Sequence, residues 1–169
     1  MNTVDFRRFL RGLPEFERLS GRSLDALATQ MQIEDYPAGH VLVTQGQCGS
    51  AMQVLITGRV ETEARSSEYG ETHELANGSI IGLLSFANIP ELENCCCKQA
   101  VQVATLSRER FNALFSVSPA AARLIQYMLA VKLAQLLQAQ NRTLRQALRI
   151  KSTPKKSESL LKQWLGFSP

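Results

Sequence analysis

From Gln32 onward the apolar residues fall into a period-two pattern that glycine or proline interrupts about every eight to twelve residues. The stretch "QIEDYPAGHVLVTQGQ" is punctuated by Pro37, Gly39 and Gly46. "AMQVLITGRVETEARSSEYGETHELANG" carries Val54, Ile56 and Val60 around a break at Gly58, and its "SSEYGE" predicts a hairpin turn. "KQAVQVATL" alternates through Val101 and Val103 before "SRERFNALF" opens a helix. Parallel strands need crossovers of about a dozen residues or more, and these segments leave no room for them. The pattern predicts an antiparallel barrel or jelly roll.

Helical signals flank the strands. Leu13 to Met31 reads as a helical lead-in, with Ser23 as a candidate N-cap and Leu24, Leu27 and Met31 at helical spacing. After Pro119 the helical pattern runs for about thirty residues, long for one globular helix. Heptad d positions fall at Leu129, Leu136 and Thr143, and a positions at Leu133, Gln140 and Ala147. The stripe outruns one small barrel, which predicts a parallel homodimer with Leu129, Leu133, Leu136, Leu137, Gln140 and Leu144 in its interface. A polar Gln140 in that seam fixes register at some cost in stability. The earlier part, around Leu124 and Met128, is expected to pack on the barrel.

"KSTPKKSES" interrupts the helix at Pro154 and reads as a linker. "SLLKQWLGF" then sets Leu160, Leu161, Trp164 and Leu165 on one face. A helix so short is marginal alone, so this tail is expected to dock on its own barrel or on another protein, with Trp164 as the anchor. The expected organisation is a β domain with N-terminal helices over 1–118, a long dimerisation helix over 119–150 and a basic linker and tail over 151–169. The class is α+β, mainly β.

Charge is unevenly spread. Arg142, Arg145, Arg149, Lys151, Lys155, Lys156 and Lys162 face only Glu158, which gives the tail +6 and leaves −2 on residues 1–141. Such asymmetry suits nucleic acid, anionic lipid, an acidic protein or plain solvation. No aromatics interleave the basic residues, so single-strand binding gains no support. Asp5 and Arg7 stand where a leader peptide needs apolar residues, and the uncharged run Leu75 to Pro90 is too short for a membrane span and is broken by Gly78, Gly82 and Pro90. A cytoplasmic location is expected. An enzyme is not: neither His40 nor His73 has a nucleophile at a recognisable spacing, and no serine sits in a nucleophile elbow. No cofactor is expected.

Four segments, "YPAGHVLVTQGQ", "VLITGRVET", "GSIIGLLSF" and "LSRERFNALFSVSP", stand in an order and spacing that resembles a cyclic-nucleotide-binding domain. The long helix after them is similar to the dimerisation helix of the catabolite activator protein family. The resemblance covers about Leu13 to Leu148 and implies an eight-stranded β-roll with flanking helices. It also implies a phosphate-binding cassette, in which backbone N–H groups at a short helix start, an arginine and a glutamate hold the phosphate and the ribose.

Gly78 and Gly82 match the cassette glycines, but Leu83 stands where the glutamate is expected, directly after the second glycine. No arginine occurs between Arg65 and Arg108. The arginine region falls over Glu91 to Cys97, where Glu91 and Glu93 repel a phosphate. Losing the ionic partner of a buried anion costs about 2–5 kcal/mol, and losing the ribose acceptor costs roughly another 1–2 kcal/mol. Lys98 offers a point charge without the arginine fork. Useful binding of cyclic AMP is therefore not expected. Sequence-specific DNA binding of the family type is not expected either, because Lys151 to Pro169 are too few for a helix-turn-helix.

Cys95, Cys96 and Cys97 begin the strand after the cassette, where the middle one faces opposite to its neighbours. Cysteine packs like a small hydrophobe, and packing is the reading favoured here. A zinc site wants paired ligands two to four residues apart, and beyond the triplet the chain offers only Cys48, His40 and His73. No metal is expected. A redox sensor needs an exposed, activated thiol, and Cys96 is its candidate.

The leading expectation is a non-enzymatic, dimeric regulatory or adaptor module acting through another protein, bound at the cassette surface or the Trp164 tail. Gly78, Ile80, Ile81, Gly82, Leu83, Leu84, Ser85, Cys96 and Lys98 are the ligand-pocket candidates, with the apolar ones lining an emptied pocket. The alternatives are a sensor of a non-standard nucleotide or apolar effector, and then a thiol or metal sensor.

Overall fold

The structure is a computed structural model and describes residues 3–63 and 72–151. The chain divides after Leu129 into two compact units. The first unit opens with α1 (Thr3–Arg11), a 3-10 turn at Pro14–Phe16 and α2 (Gly21–Gln30). α1 lies wholly before the helical lead-in read from the sequence; its Phe6 and Leu10, one turn apart, are buried. The cap of α2 is Ser20 rather than Ser23. The Ser23 N–H donates to Ser20 Oγ at 3.2 Å, the bond by which an N-cap satisfies the third residue of its helix.

Eight strands follow: β1 (Gln32–Tyr36), β2 (Val41–Val43), β3 (Ala51–Thr57), β4 (Val60–Glu63), β5 (Thr72–Leu75), β6 (Ile80–Ile81), β7 (Asn94–Cys97) and β8 (Val101–Ser107). They form two four-stranded sheets, ordered β1-β8-β3-β6 and β2-β7-β4-β5, with every pairing antiparallel. This is the β-roll that the resemblance implies. β4 and β5 pair from Val60↔Leu75 to Glu63↔Thr72, while the "SSEYGE" turn between them lies outside the described residues.

Side-chain alternation explains how one sheet serves two cores. In β3, Met52, Val54 and Ile56 join a core built with Phe6, Phe16, Leu24, Leu27 and Leu114 from the helices. Leu55 points the other way, into a core with Val60, Ile81, Cys95, Cys97, Val101 and Val103. β8 divides likewise, with Ala104 and Leu106 on the helix side. Five consecutive residues of β3, Met52 to Ile56, are buried as a result. Neither face of this strand meets water.

α3 (Arg108–Val117) is capped by Ser107, whose Oγ accepts from the Arg110 N–H. α4 (Pro119–Lys151) begins with proline, whose missing N–H costs nothing at a first helical position. Ala121, Ala122 and Ile125 are fully buried in the helix-side core, and Leu124 and Met128 pack at its edge, as expected from sequence.

The second unit begins at Ala130 and is helical through Lys151. There Leu133 and Leu136 are half-buried, Gln140 is exposed, and Leu137, Leu144 and Leu148 are exposed at 60%, 58% and 56%. By length and composition alone, Pro119–Leu148 passes as long and apolar enough to cross a membrane, since one 18-residue window within it has a mean hydropathy of 1.2. Burial of Ala121, Ala122 and Ile125 in a protein core already accounts for part of that apolarity. The tail residues Leu160, Leu161, Trp164 and Leu165 lie outside the described residues.

Candidate functional site

The cassette is built on β6. Ile80 and Ile81 pair with Val54 and Gln53 of β3, and Gly78 donates its N–H to the Leu55 carbonyl at 2.7 Å. The chain then turns at Gly82, in the left-handed region at φ 73°, where a Cβ would lie 2.7 Å from the Ala51 carbonyl oxygen. Only glycine fits there without strain. A short 3-10 helix, Leu83–Ala87, follows and stops at Asn88, itself left-handed at φ 53°. Phe86 stacks on Phe111 of α3 with ring centroids 4.6 Å apart, which fastens this helix to the helix-side core.

Ser85 is the polar centre of the cassette and is almost fully buried. Its N–H and its hydroxyl both donate to Glu91 Oε1, each at 3.1 Å. Its carbonyl accepts from Arg108 Nη2. The same guanidinium donates to the Phe86 carbonyl at 3.2 Å and to Asn88 Oδ1 at 2.8 Å. Glu91 is held by its backbone to the β2–β3 loop: Gly46 donates to its carbonyl at 2.8 Å, and its own N–H donates to the Gln47 carbonyl at 3.0 Å. Cys48, in that loop, donates to the Asn88 carbonyl at 3.4 Å. The charge-assisted bonds among these, to the Glu91 carboxylate and from the Arg108 guanidinium, contribute roughly 1.5–3 kcal/mol each.

The structure separates the pocket candidates. Ile80 and Leu83 pack on the helix-side core, Ile81 enters the roll interior, and Leu84 is buried. Alternation along β6 thus sends Ile80 and Ile81 to different cores rather than to one lining. Gly82 and Ser85 remain together at the cassette turn, while Gly78 stands at the other end of β6, where an added Cβ would meet Leu13.

Cys96 and Lys98 belong elsewhere. Cys96 stands opposite Glu61 of β4 and Val41 of β2. Lys98 Nζ lies 3.2 Å from Glu61 Oε2, in a surface network where Arg59 also pairs with Glu61 and Glu74. The lysine charge is therefore paired with Glu61 on β4.

The triplet alternates as a strand must, with Cys95 and Cys97 buried and Cys96 between. Burial pushes the Cys95 thiol up to about 12, helped by the charges of Glu93 and Glu91 and by the neighbouring cysteines. Burial also raises Cys97, with Cys96 adding to it. Both stay protonated and unreactive near neutrality. His40 stacks on Tyr36 at 4.3 Å, and His73 lies on exposed β5.

Sequence reasoning missed Arg108. One signal was available: a positive charge directly after an N-cap serine opposes the helix dipole, so it needs a partner of its own. Gly49 was missed too. A Cβ there would come within 2.5 Å of Ser85 Oγ, so its role is to admit that hydroxyl, which no local pattern reveals.

A sequence model described as "Cyclic nucleotide-binding domain" matches residues 33–118. The chain belongs to the cyclic nucleotide-binding domain family. A curated relative, the cAMP-dependent protein kinase regulatory subunit of Mycosarcoma maydis, is 25% identical over 118 residues, 64% of this chain. The match spans only 22% of that relative's length. Among solved structures, the catabolite activator protein of Thermus thermophilus superposes with a TM-score of 0.63 at 24% identity, over 79% of this chain and 62% of that one. The regulatory subunit of a cAMP-independent protein kinase A from Trypanosoma cruzi, bound to guanosine, superposes at 0.57 and 21% identity, over 77% and 50%. These likenesses establish the cyclic-nucleotide-binding fold, and the family is one of ligand-binding rather than catalytic domains.

Proposed function

We propose that this chain is a regulatory module of cyclic-nucleotide-binding fold that does not take cyclic AMP in the family manner and acts through protein partners. One observation carries the reading: the two donors of Ser85 are already engaged by the Glu91 carboxylate. A phosphate arriving at the same donors meets a negative charge where it needs a positive one. Arg108 is spent on carbonyls and on Asn88, and Leu83 supplies no acceptor for a ribose hydroxyl. The homodimer belongs to the same proposal, supported by the leucines that α4 leaves in water. A hydrophobic stripe of this kind is stabilised when a second copy covers it.

The test is titration calorimetry of the full chain with cyclic AMP. No heat at a protein concentration of about 50 μM, about fifty times a dissociation constant of about 1 μM, is the expected result. Micromolar or tighter binding would refute the reading.

A second reading, a sensor of an uncharged or non-standard nucleotide, is favoured by the resemblance to the Trypanosoma cruzi regulatory subunit bound to guanosine. Guanosine carries no phosphate, so a glutamate beside Ser85 does not exclude it. Titration with guanosine in the same experiment separates the two readings.

A further inference from the structure

Ser85 is 1% exposed, yet both its donors point at one oxygen of one side chain. Two donors converging in a place without water stabilise negative charge, and left empty they would carry the full cost of desolvation. The space beside Ser85 is fitted closely, since one added carbon on Gly49 would already crowd the hydroxyl. Glu91 is placed by its own backbone, which the β2–β3 loop grips on both sides through Gly46 and Gln47. The far side of Ser85 is fixed by Arg108.

We propose that Glu91 is an internal ligand: its carboxylate is the resident anion of the Ser85 donors and keeps the cassette in one filled conformation with nothing bound. This rests on the reading of the chain as unresponsive to cyclic AMP, and it adds a reason for it. An anion tethered six residues away competes at a high effective concentration, so a free phosphate must displace it as well as bind. The cassette is then set permanently, and its state does not depend on a supply of nucleotide.

Chemical rescue tests this. Wild type, Glu91→Gln and Glu91→Ala are unfolded thermally in chloride, acetate or inorganic phosphate at equal ionic strength. Amide exchange is followed by mass spectrometry in a peptide containing residues 83–87. In Glu91→Ala the exchange of that peptide is expected to rise about tenfold, and acetate or phosphate to recover part of the lost midpoint. Wild type should show no such response, and Glu91→Gln, which keeps one acceptor oxygen, should fall between.

Equal responses to the anions in wild type and Glu91→Ala would overturn the proposal. So would unchanged exchange without rescue. Should Glu91→Ala fail to fold, exchange in Glu91→Gln decides: a rise supports the internal ligand and no rise overturns it. Cyclic AMP titrated into the same wild-type sample keeps the two claims apart. Heat there sinks the nucleotide-independent reading, whereas no heat together with no rescue sinks the internal ligand alone.

Discussion

The Arg108 guanidinium donates to the Asn88 side-chain oxygen at 2.8 Å, and Asn88 is the one non-glycine residue among those described whose φ is positive. Arginine and asparagine together close the C-terminal end of the cassette helix. The nearest arginine downstream of the cassette thus stabilises carbonyls and a strained turn.

Replacing Arg108 with alanine is expected to destabilise the fold by about 2 kcal/mol, because three acceptors lose a charged donor. Lysine at the same position should recover less than half, since one ammonium cannot span the carbonyls and the amide as the fork does. Urea unfolding measures both. A loss under about 0.5 kcal/mol for Arg108→Ala would show that water replaces the clamp.

Two glycines distinguish backbone strain from steric conflict. Gly39 has φ 84° with nothing within 4 Å of an added Cβ, so Gly39→Ala is expected to cost about 1 kcal/mol. Gly82 has a similar φ but places that Cβ 2.7 Å from the Ala51 carbonyl, and Gly82→Ala should cost roughly 2–3 kcal/mol. Equal midpoints in denaturant for the two variants would mean the cassette turn relaxes at no cost.

If α4 pairs with a second copy, wild type sediments at twice the chain mass of 18.8 kDa. Leu137→Asp combined with Leu144→Asp should give monomers whose β-sheet circular dichroism is unchanged, because both residues are exposed and belong to the second unit. A double variant that remains dimeric would place the interface elsewhere.

Thiol chemistry should follow burial. At pH 8 a maleimide is expected to label Cys48, which is exposed, long before Cys95 or Cys97. The Cys95 proton is held more tightly in the folded state than in the unfolded one, where its pKa is about 9.0. Its contribution to stability is therefore complete below pH 9 and declines as pH rises from 9 toward about 12. Cys95→Ala should flatten that alkaline decline while lowering stability at neutral pH. An identical pH profile in the variant would reassign the decline to other groups.

The roll was legible because its short strands carry alternation and glycine breaks that survive in one dimension, as in Val101 and Val103. β3 was only half legible. Its Val54 and Ile56 mark one face, but Leu55 is buried on the other, so the strand reads as a continuous apolar run without a periodic signal. At the cassette, Gly82 and Leu83 were informative because the turn is local. The Glu91 contact was read only as repulsion, because the loop that aims its carboxylate at Ser85 comes from some forty-five residues earlier in the chain. The acceptors of Arg108, at residues 85–88, lie 20 to 23 residues before it, so its position after an N-cap serine signalled a need for a partner without naming one.

The pairing of β1 with β8 has a consequence for the chain while it is being made. Glu34 and Thr105 bond across 71 residues of sequence, and β8 lies between β1 and β3 in the sheet. As the polypeptide leaves the ribosome, β1, β3 and β6 emerge first, and β8, the strand that joins β1 to β3, is complete only when Ser107 is out. Between the emergence of β3 and that of β8 the nascent chain thus presents two open strand edges and the apolar run of β3, the features that invite aggregation. A chaperone engaging the nascent chain should release it soon after β8 clears the exit tunnel.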